Sequence, residues 1–148
     1  MSHIRTQIRK RVKTLLSGLA ATGGNVFVGR TWPLERPSLP CLLVYTTDEP
    51  SADAAFSPIR QQRVVTLTVE GRVAGIDDEA MLDSLDELAR QVEVALLAAG
   101  ALASLALAIE LTQTLATTTA GNDGRWGQVE MTFRVEYHTA AGAPDTAL

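Results

Sequence analysis

Residues 128–138 read QVEMTFRVEYH and alternate without a fault. Val129, Met131, Phe133, Val135 and Tyr137 take one parity; Gln128, Glu130, Thr132, Arg134, Glu136 and His138 take the other. A period of two sustained over that length predicts a β-strand with one buried face and one wet face. The rest of the 148-residue chain must then supply a layer for the apolar face.

A second stretch repeats the pattern. From Arg60 to Val73, Arg63, Val65, Leu67 and Val69 share one face, and Gln62, Val64, Thr66, Thr68 and Glu70 the other. Two segments carry helical spacing instead. Over residues 3–21, Ile4, Ile8, Val12, Leu15, Leu16 and Leu19 form one stripe, with Ser2 placed to cap the start and Gly23-Gly24 to end it. Over residues 77–99, Met81, Leu85, Leu88, Val92 and Leu96 form another, opened by Asp77, Asp78 and Glu79 and stopped by Gly100.

Shorter apolar runs, NVFV from Asn25 and CLLVY from Cys41, predict two more strands, and Ile109–Thr119 a further one. The Pro-fenced, alanine-rich stretch 48–58 predicts a mobile loop, and Gly121-Asn122-Asp123-Gly124 a turn. The expected order is α-β-β-β-α-β-β. This is an α+β domain over residues 1–139, two long helices packed on an antiparallel or mixed sheet, with a disordered tail over 140–148.

Composition narrows the function. Hydrophobic residues at 46% and charged residues at 20% suit a globular chain, which argues against disorder. A net charge of −4 gives no reason to expect nucleic acid or a membrane surface as partner. The longest uncharged stretch, Val94–Ile109, is broken by Gly100 and is shorter than the roughly 18 apolar residues a membrane span requires. With no apolar leader at the N-terminus, a soluble chain in the cytoplasm of its host is expected. Cys41 is the sole cysteine, so no internal disulfide forms, and its setting in CLLVY predicts a buried thiol.

No grouping of residues suggests chemistry. The two histidines, His3 and His138, stand far apart, and no HxxxH, CxxC, GxSxG or phosphate-cradling glycine motif occurs. Catalytic residues, cofactors and metals are therefore not expected. Asp83, Asp86 and Glu87 are explained by a solvated helix face, and Trp32 and Trp126 by anchoring a loop or an interface.

What stands out is surface. Arg5, Arg9, Lys10, Arg11 and Lys13 make the first helix basic; Asp77 to Glu93 make the second acidic. Two solvated faces and an electrostatic docking pair are both consistent with this pattern. Val94 and Leu97 leave the apolar stripe of the second helix and need another cover, either the ALASLALAI segment or a neighbouring subunit. The stretch from Arg30 to Pro40, with Trp32, Glu35 and Arg36, is a stiff, charged, aromatic loop of the type that anchors interfaces. The candidate interface residues are Arg9, Lys10, Lys13, Arg30, Trp32, Glu35, Arg36, Val94 and Leu97.

Three features together resemble the tail terminator family of long-tailed bacteriophages, typified by the lambda minor tail protein U. They are the N-terminal amphipathic helix ending in glycines; Phe27-Val28-Gly29-Arg30 followed by Pro40-Cys41-Leu42-Leu43-Val44-Tyr45; and Trp126 followed by Thr132-Phe133-Arg134-Val135-Glu136-Tyr137. The resemblance spans residues 3–139, and the chain departs from it in a longer 48–58 stretch and an added tail. It implies a non-enzymatic virion tail protein, assembled in the host cytoplasm. Its partners would be further copies of itself in a hexameric ring, the tail tube protein, whose polymerisation it would halt, and a head-completion or connector protein. Another phage neck or secretion-system ring component, and a small-ligand or enzymatic domain, are the alternative readings.

Overall fold

The computed structural model describes residues 1–29, 39–75, 77–121 and 124–148. Its elements run α1 (Ile4–Leu16), β1 (Val26–Val28), β2 (Cys41–Thr46), β3 (Ser51–Phe56), β4 (Ile59–Gly75), α2 (Asp78–Leu96), β5 (Ala108–Gly121) and β6 (Gly124–Ala140). The strands form one six-stranded sheet in the order β1-β2-β4-β6-β5, with β3 beside β4. Among the described residues, only the β1–β2 pair is parallel.

The picture of two long helices on a sheet is corrected by these proportions. The helices have 13 and 19 residues, whereas β4 and β6 have 17 each. At about 3.3 Å per strand residue, the central strands reach roughly 55 Å. At 1.5 Å per helical residue, α2 covers only about 28 Å and α1 about 20 Å. The sheet is the body of the molecule, and parts of it extend beyond the helices.

The element order is corrected as well. The 48–58 stretch is no loop: residues 51–56 form β3, an antiparallel hairpin arm on Ile59–Arg63. Pro50 and Pro58 flank this arm instead of interrupting it. β4 runs past the end of β2, which pairs only with its residues 67–72, and the remaining length offers a ladder to whatever chain lies alongside.

Helix boundaries also differ from the periodicity. α1 stops at Leu16, where Ser17 turns extended and Gly18 takes a φ of +96°. Leu19 still packs on the core from the following turns. The N-cap is His3, not Ser2: its Nδ1 accepts the Arg5 amide at 3.1 Å. Asp77 caps α2, accepting the Ala80 amide at 2.7 Å.

Both helices lie on one face of the sheet. Ile4, Ile8, Val12 and Leu16 of α1 meet the α2 stripe over Leu42, Val44, Val65, Leu67, Val69 and the inward row of β6 from Val129 to Tyr137. Leu102 and Leu105, in the turns after α2, join the same core. Three strand glycines seat α2. Added Cβ atoms at Gly71, Gly75 and Gly127 would run into Leu88, Met81 and Leu85 respectively, so the absent side chains let the helix approach the sheet closely.

β2 is buried on both faces, with Cys41 and Leu43 fully covered on the side away from the helices. Residues 140–148, for which composition predicts disorder, double back along the end of β6 to the start of α1. The Leu148 amide donates to His138 O at 2.9 Å, and Ile4 N donates to Pro144 O at 2.9 Å.

Candidate interaction surface

Of the five basic residues of α1, Arg11 donates to Ala101 O at 3.4 Å, and the other four divide into two sets. Arg5 and Arg9 turn inward. Arg5 pairs with Glu49 at 3.3 Å, and Arg9 donates to Thr46 Oγ1 at 2.7 Å. Glu49, whose side chain is only 4% exposed, also accepts the Tyr137 hydroxyl and faces Arg63 Nη1 at 3.9 Å. Arg63 in turn donates to Thr139 Oγ1 at 3.2 Å. Burial, then the Glu49 carboxylate, holds the Tyr137 hydroxyl well above the usual tyrosine range. This network joins α1, the β2–β3 junction, β4 and β6. Arg9, taken from the sequence as an interface residue, is thereby partly committed to its own fold.

Lys10 and Lys13 form the second set, and both are exposed. On α2, Asp83, Asp86 and Glu93 are exposed, as are Val94 at 62% and Leu97 at 40%. Leu97 lies at the C-cap, so the two apolar side chains project near the end of the helix. Glu87 instead takes a bidentate pair from Arg90 at 2.8 and 2.6 Å; Arg90 first, then Gln91, brings its pKa down to about 2. Arg30, Trp32, Glu35 and Arg36 fall outside the described residues.

The sheet face away from the helices is polar. Arg134 lies 3.5 Å from Glu136 and 3.9 Å from Glu110 on the neighbouring strand. Gln62 donates to Glu136 at 2.7 Å. Nearer β2, the buried Glu70 accepts from Tyr45 at 2.6 Å and pairs with Arg72 at 3.2 Å, directly opposite Glu130 in register. Trp126 has the same parity as Gln128 and Glu130 and stands on this face, partly buried.

Sequence reasoning missed the state of β5. Every residue from Thr112 to Ala120 is exposed, on both faces of the strand. Apart from β6, β5 has no strand neighbour among the described residues. It is the last strand of the sheet, outside β6, and α2 leaves both its faces bare over 112–120, which the threonine-rich alternation alone does not reveal.

A depression of about 480 Å³ opens between α2 and the β2 end of the sheet, lined by Pro40, Val73, Ser84 and Leu88 among others. Among the described residues, His, Cys, Asp and Glu side chains form no group of three or more suited to a metal ion. No described helix is long and apolar enough to cross a membrane.

Neither a family model nor a curated protein matches this chain. Among solved structures, it is similar to a chain of the virion of a native gene transfer agent particle. The TM-score is 0.53 at 15% identity, over 93% of this chain and 92% of that one. At that identity the likeness is one of fold, and it runs nearly end to end.

Proposed function

We propose that this chain is a structural protein of a phage-like particle and that, within it, the chain acts as the tail terminator. It forms a ring on the last layer of the tail tube, stops tube growth and presents a surface for joining the head. It acts by binding, without catalysis. The observation that carries this reading is the near end-to-end fold likeness to a chain of a gene transfer agent virion. The N-terminal helix, the Phe27–Tyr45 stretch and the Trp126–Tyr137 strand refine it from virion protein to terminator.

The physics of the surface suits such a role. A ring needs two different, complementary patches on each subunit. Exposed lysines on α1 and exposed carboxylates on α2 supply opposite signs. A cap must also hold the tube end more tightly than it holds free tube subunits, and the Arg30–Pro40 stretch, with Trp32 and Arg36, has the residue types that dominate such contacts.

Deleting the gene in a particle-producing strain tests this. Overlong tubes and headless tails are expected, and supplying the wild-type protein should restore regulated length. Trp32→Ala combined with Arg36→Glu should yield a folded protein that does not rescue. Normal tails and full infectivity without the gene would overturn the reading.

A further inference from the structure

β5 departs from the way soluble proteins treat an edge strand. An open edge is ordinarily shortened, broken by proline, guarded by lysine or covered. β5 has 14 residues, and from Leu111 to Gly121 it carries no charge and no proline. Its one irregularity is a register shift between Leu111 and Gln113, which leaves the length beyond unbroken. Elsewhere the same sheet side is protected. Past the start of β5, the C-terminal segment covers β6 through the Thr139–Ala147 bridge and the bond from Leu148 N to His138 O. The covering stops where β5 begins.

The opposite side of the sheet also has an open strand. β3 pairs with β4 alone among the described residues, and its residues 51–54 are exposed. The strand directions make these two edges compatible. β3 and β6 both run antiparallel to β4, and β5 runs antiparallel to β6. β5 and β3 therefore point in opposite directions. β3 pairs with β4 residues 59–63, whereas β5 stands level with β4 residues 64–75. A second copy that continues the sheet, with its helices on the same face, is therefore staggered along the strands and sets its β3 antiparallel to the first copy's β5.

The helices supply charge complementarity for that arrangement. α2 lies over β4, β6 and β5, whereas α1 lies over β1 and β2. Continuing the sheet past β5 thus brings the α2 side of one copy, with exposed Asp83, Asp86 and Glu93, toward the α1 side of the next, with exposed Lys10 and Lys13. Opposite signs meet on the helical face while open backbone groups meet in the sheet.

We infer that β5 is the docking edge for a second copy of this chain, which adds its β3 edge antiparallel and head to tail. The contact joins two different patches, so repetition of it closes into a ring or runs on as a filament. This rests on the ring reading above and assigns its subunit contact. The ladder involves only the short β3 arm, and the charges are screened by salt. The isolated protein therefore associates weakly, and assembly is favoured by high concentration and low ionic strength.

Single-cysteine cross-linking tests it. Ala52→Cys on β3 and Leu115→Cys on β5 are each made in a Cys41→Ser background and treated with a short bismaleimide at high concentration and low salt. Sedimentation follows assembly in parallel. Cross-linked dimers are expected when the two variants are mixed and absent when either is alone, and the double variant should give a ladder of higher species. Thr117→Lys with Thr119→Lys, at exposed positions, should stay folded by circular dichroism and weaken association on the order of tenfold or more. Cross-linking of Leu115→Cys to itself would show a two-fold contact and overturn the assignment. So would assembly that survives both lysines, or cross-links absent from assembled protein; each leaves the ring reading standing. A chain that stays monomeric throughout overturns both.

Discussion

The Tyr137 hydroxyl donates to the Glu49 carboxylate across 88 residues of sequence. Arg63, the register partner of Tyr137 on β4, faces the same carboxylate from the sheet, and Arg5 reaches it from α1. One acid thus holds the N-terminal helix, the β2–β3 junction and both central strands. Removing it leaves Arg63, only 14% exposed, without its counter-ion. Glu49→Ala is expected to destabilise by roughly 3 kcal/mol. Tyr137→Phe leaves both arginines on Glu49 and should cost about 1–2 kcal/mol. Urea titrations of both variants decide the matter, and a milder effect from Glu49→Ala than from Tyr137→Phe would refute this account of the network.

The glycine seat under α2 gives a second prediction. At Gly71, an added Cβ meets Leu88 and lies 3.0 Å from Val129 Cγ1, with both side chains in the packed core. Overpacking of this kind costs about 1–3 kcal/mol, so Gly71→Ala should lower stability by that amount. Gly142, at the surface with nothing near its Cβ, is no proper control because its φ is +77°. Gly24 has open space and no such φ, and Gly24→Ala should change the denaturation midpoint little. Equal losses at both positions would mean that α2 does not depend on this close approach.

Much of the sheet was legible because its signal is local. Each parity in QVEMTFRVEYH reports one side chain's face, and Val129 to Tyr137 are buried in the order the alternation demands. Val94 and Leu97 stood out as off-stripe and are exposed for the same reason: helical spacing is a local property. What escaped depends on distant chain. Pro50, Pro58 and the alanines of 51–56 carry loop chemistry, and only the overhanging half of β4 makes that stretch a strand. Arg5 and Arg9 read as a solvated basic face because nothing near them in sequence announces Glu49 or Thr46. The bareness of β5 arises from its place at the edge of the sheet, which pairing order sets and no single segment encodes.

Phe133 and Arg134 are sequence neighbours with opposite fates. Phe133 is fully buried beneath the helices, and Arg134 lies on the polar face among Glu110 and Glu136. Phe133→Ala should destabilise by roughly 3–5 kcal/mol through the cavity it leaves. Arg134→Ala should stay within about 1 kcal/mol, because its pairs are solvated. Guanidinium melts of the two variants should differ accordingly, and similar losses would contradict the facing of β6.

Cys41 offers a probe of opening. It is fully buried on β2, and burial raises its thiol pKa, so the thiolate that reacts is both hidden and scarce. A thiol reagent should leave the native protein unlabelled over minutes. Labelling should then rise with urea in step with the loss of circular dichroism. Rapid stoichiometric labelling without denaturant would place the CLLVY strand at the surface.

His3 links stability to pH at the start of α1. Nδ1 lies 3.1 Å from the Arg5 amide, and Nε2 lies 3.3 Å from the Arg5 guanidinium. Either contact needs an acceptor nitrogen. The neutral ring has one and the imidazolium has none, so only one contact holds at a time and protonation ends both. Burial, with Arg5 next, pulls the His3 pKa below its usual 6.5; Arg63 and Arg9 act the same way and Glu49 opposes them. As pH falls through 6.5, the unfolded chain therefore takes up a proton before the folded one does. This contribution to stability is complete above that pH and is lost progressively below it. His3→Asn keeps a cap acceptor that does not titrate. Thermal melts between about pH 7.5 and pH 5 should show a shallower decline for the variant than for wild type. At the acid end the variant should be the more stable of the two relative to neutral pH. Parallel curves would mean that His3 stays neutral, or stays uncoupled from folding, across the range.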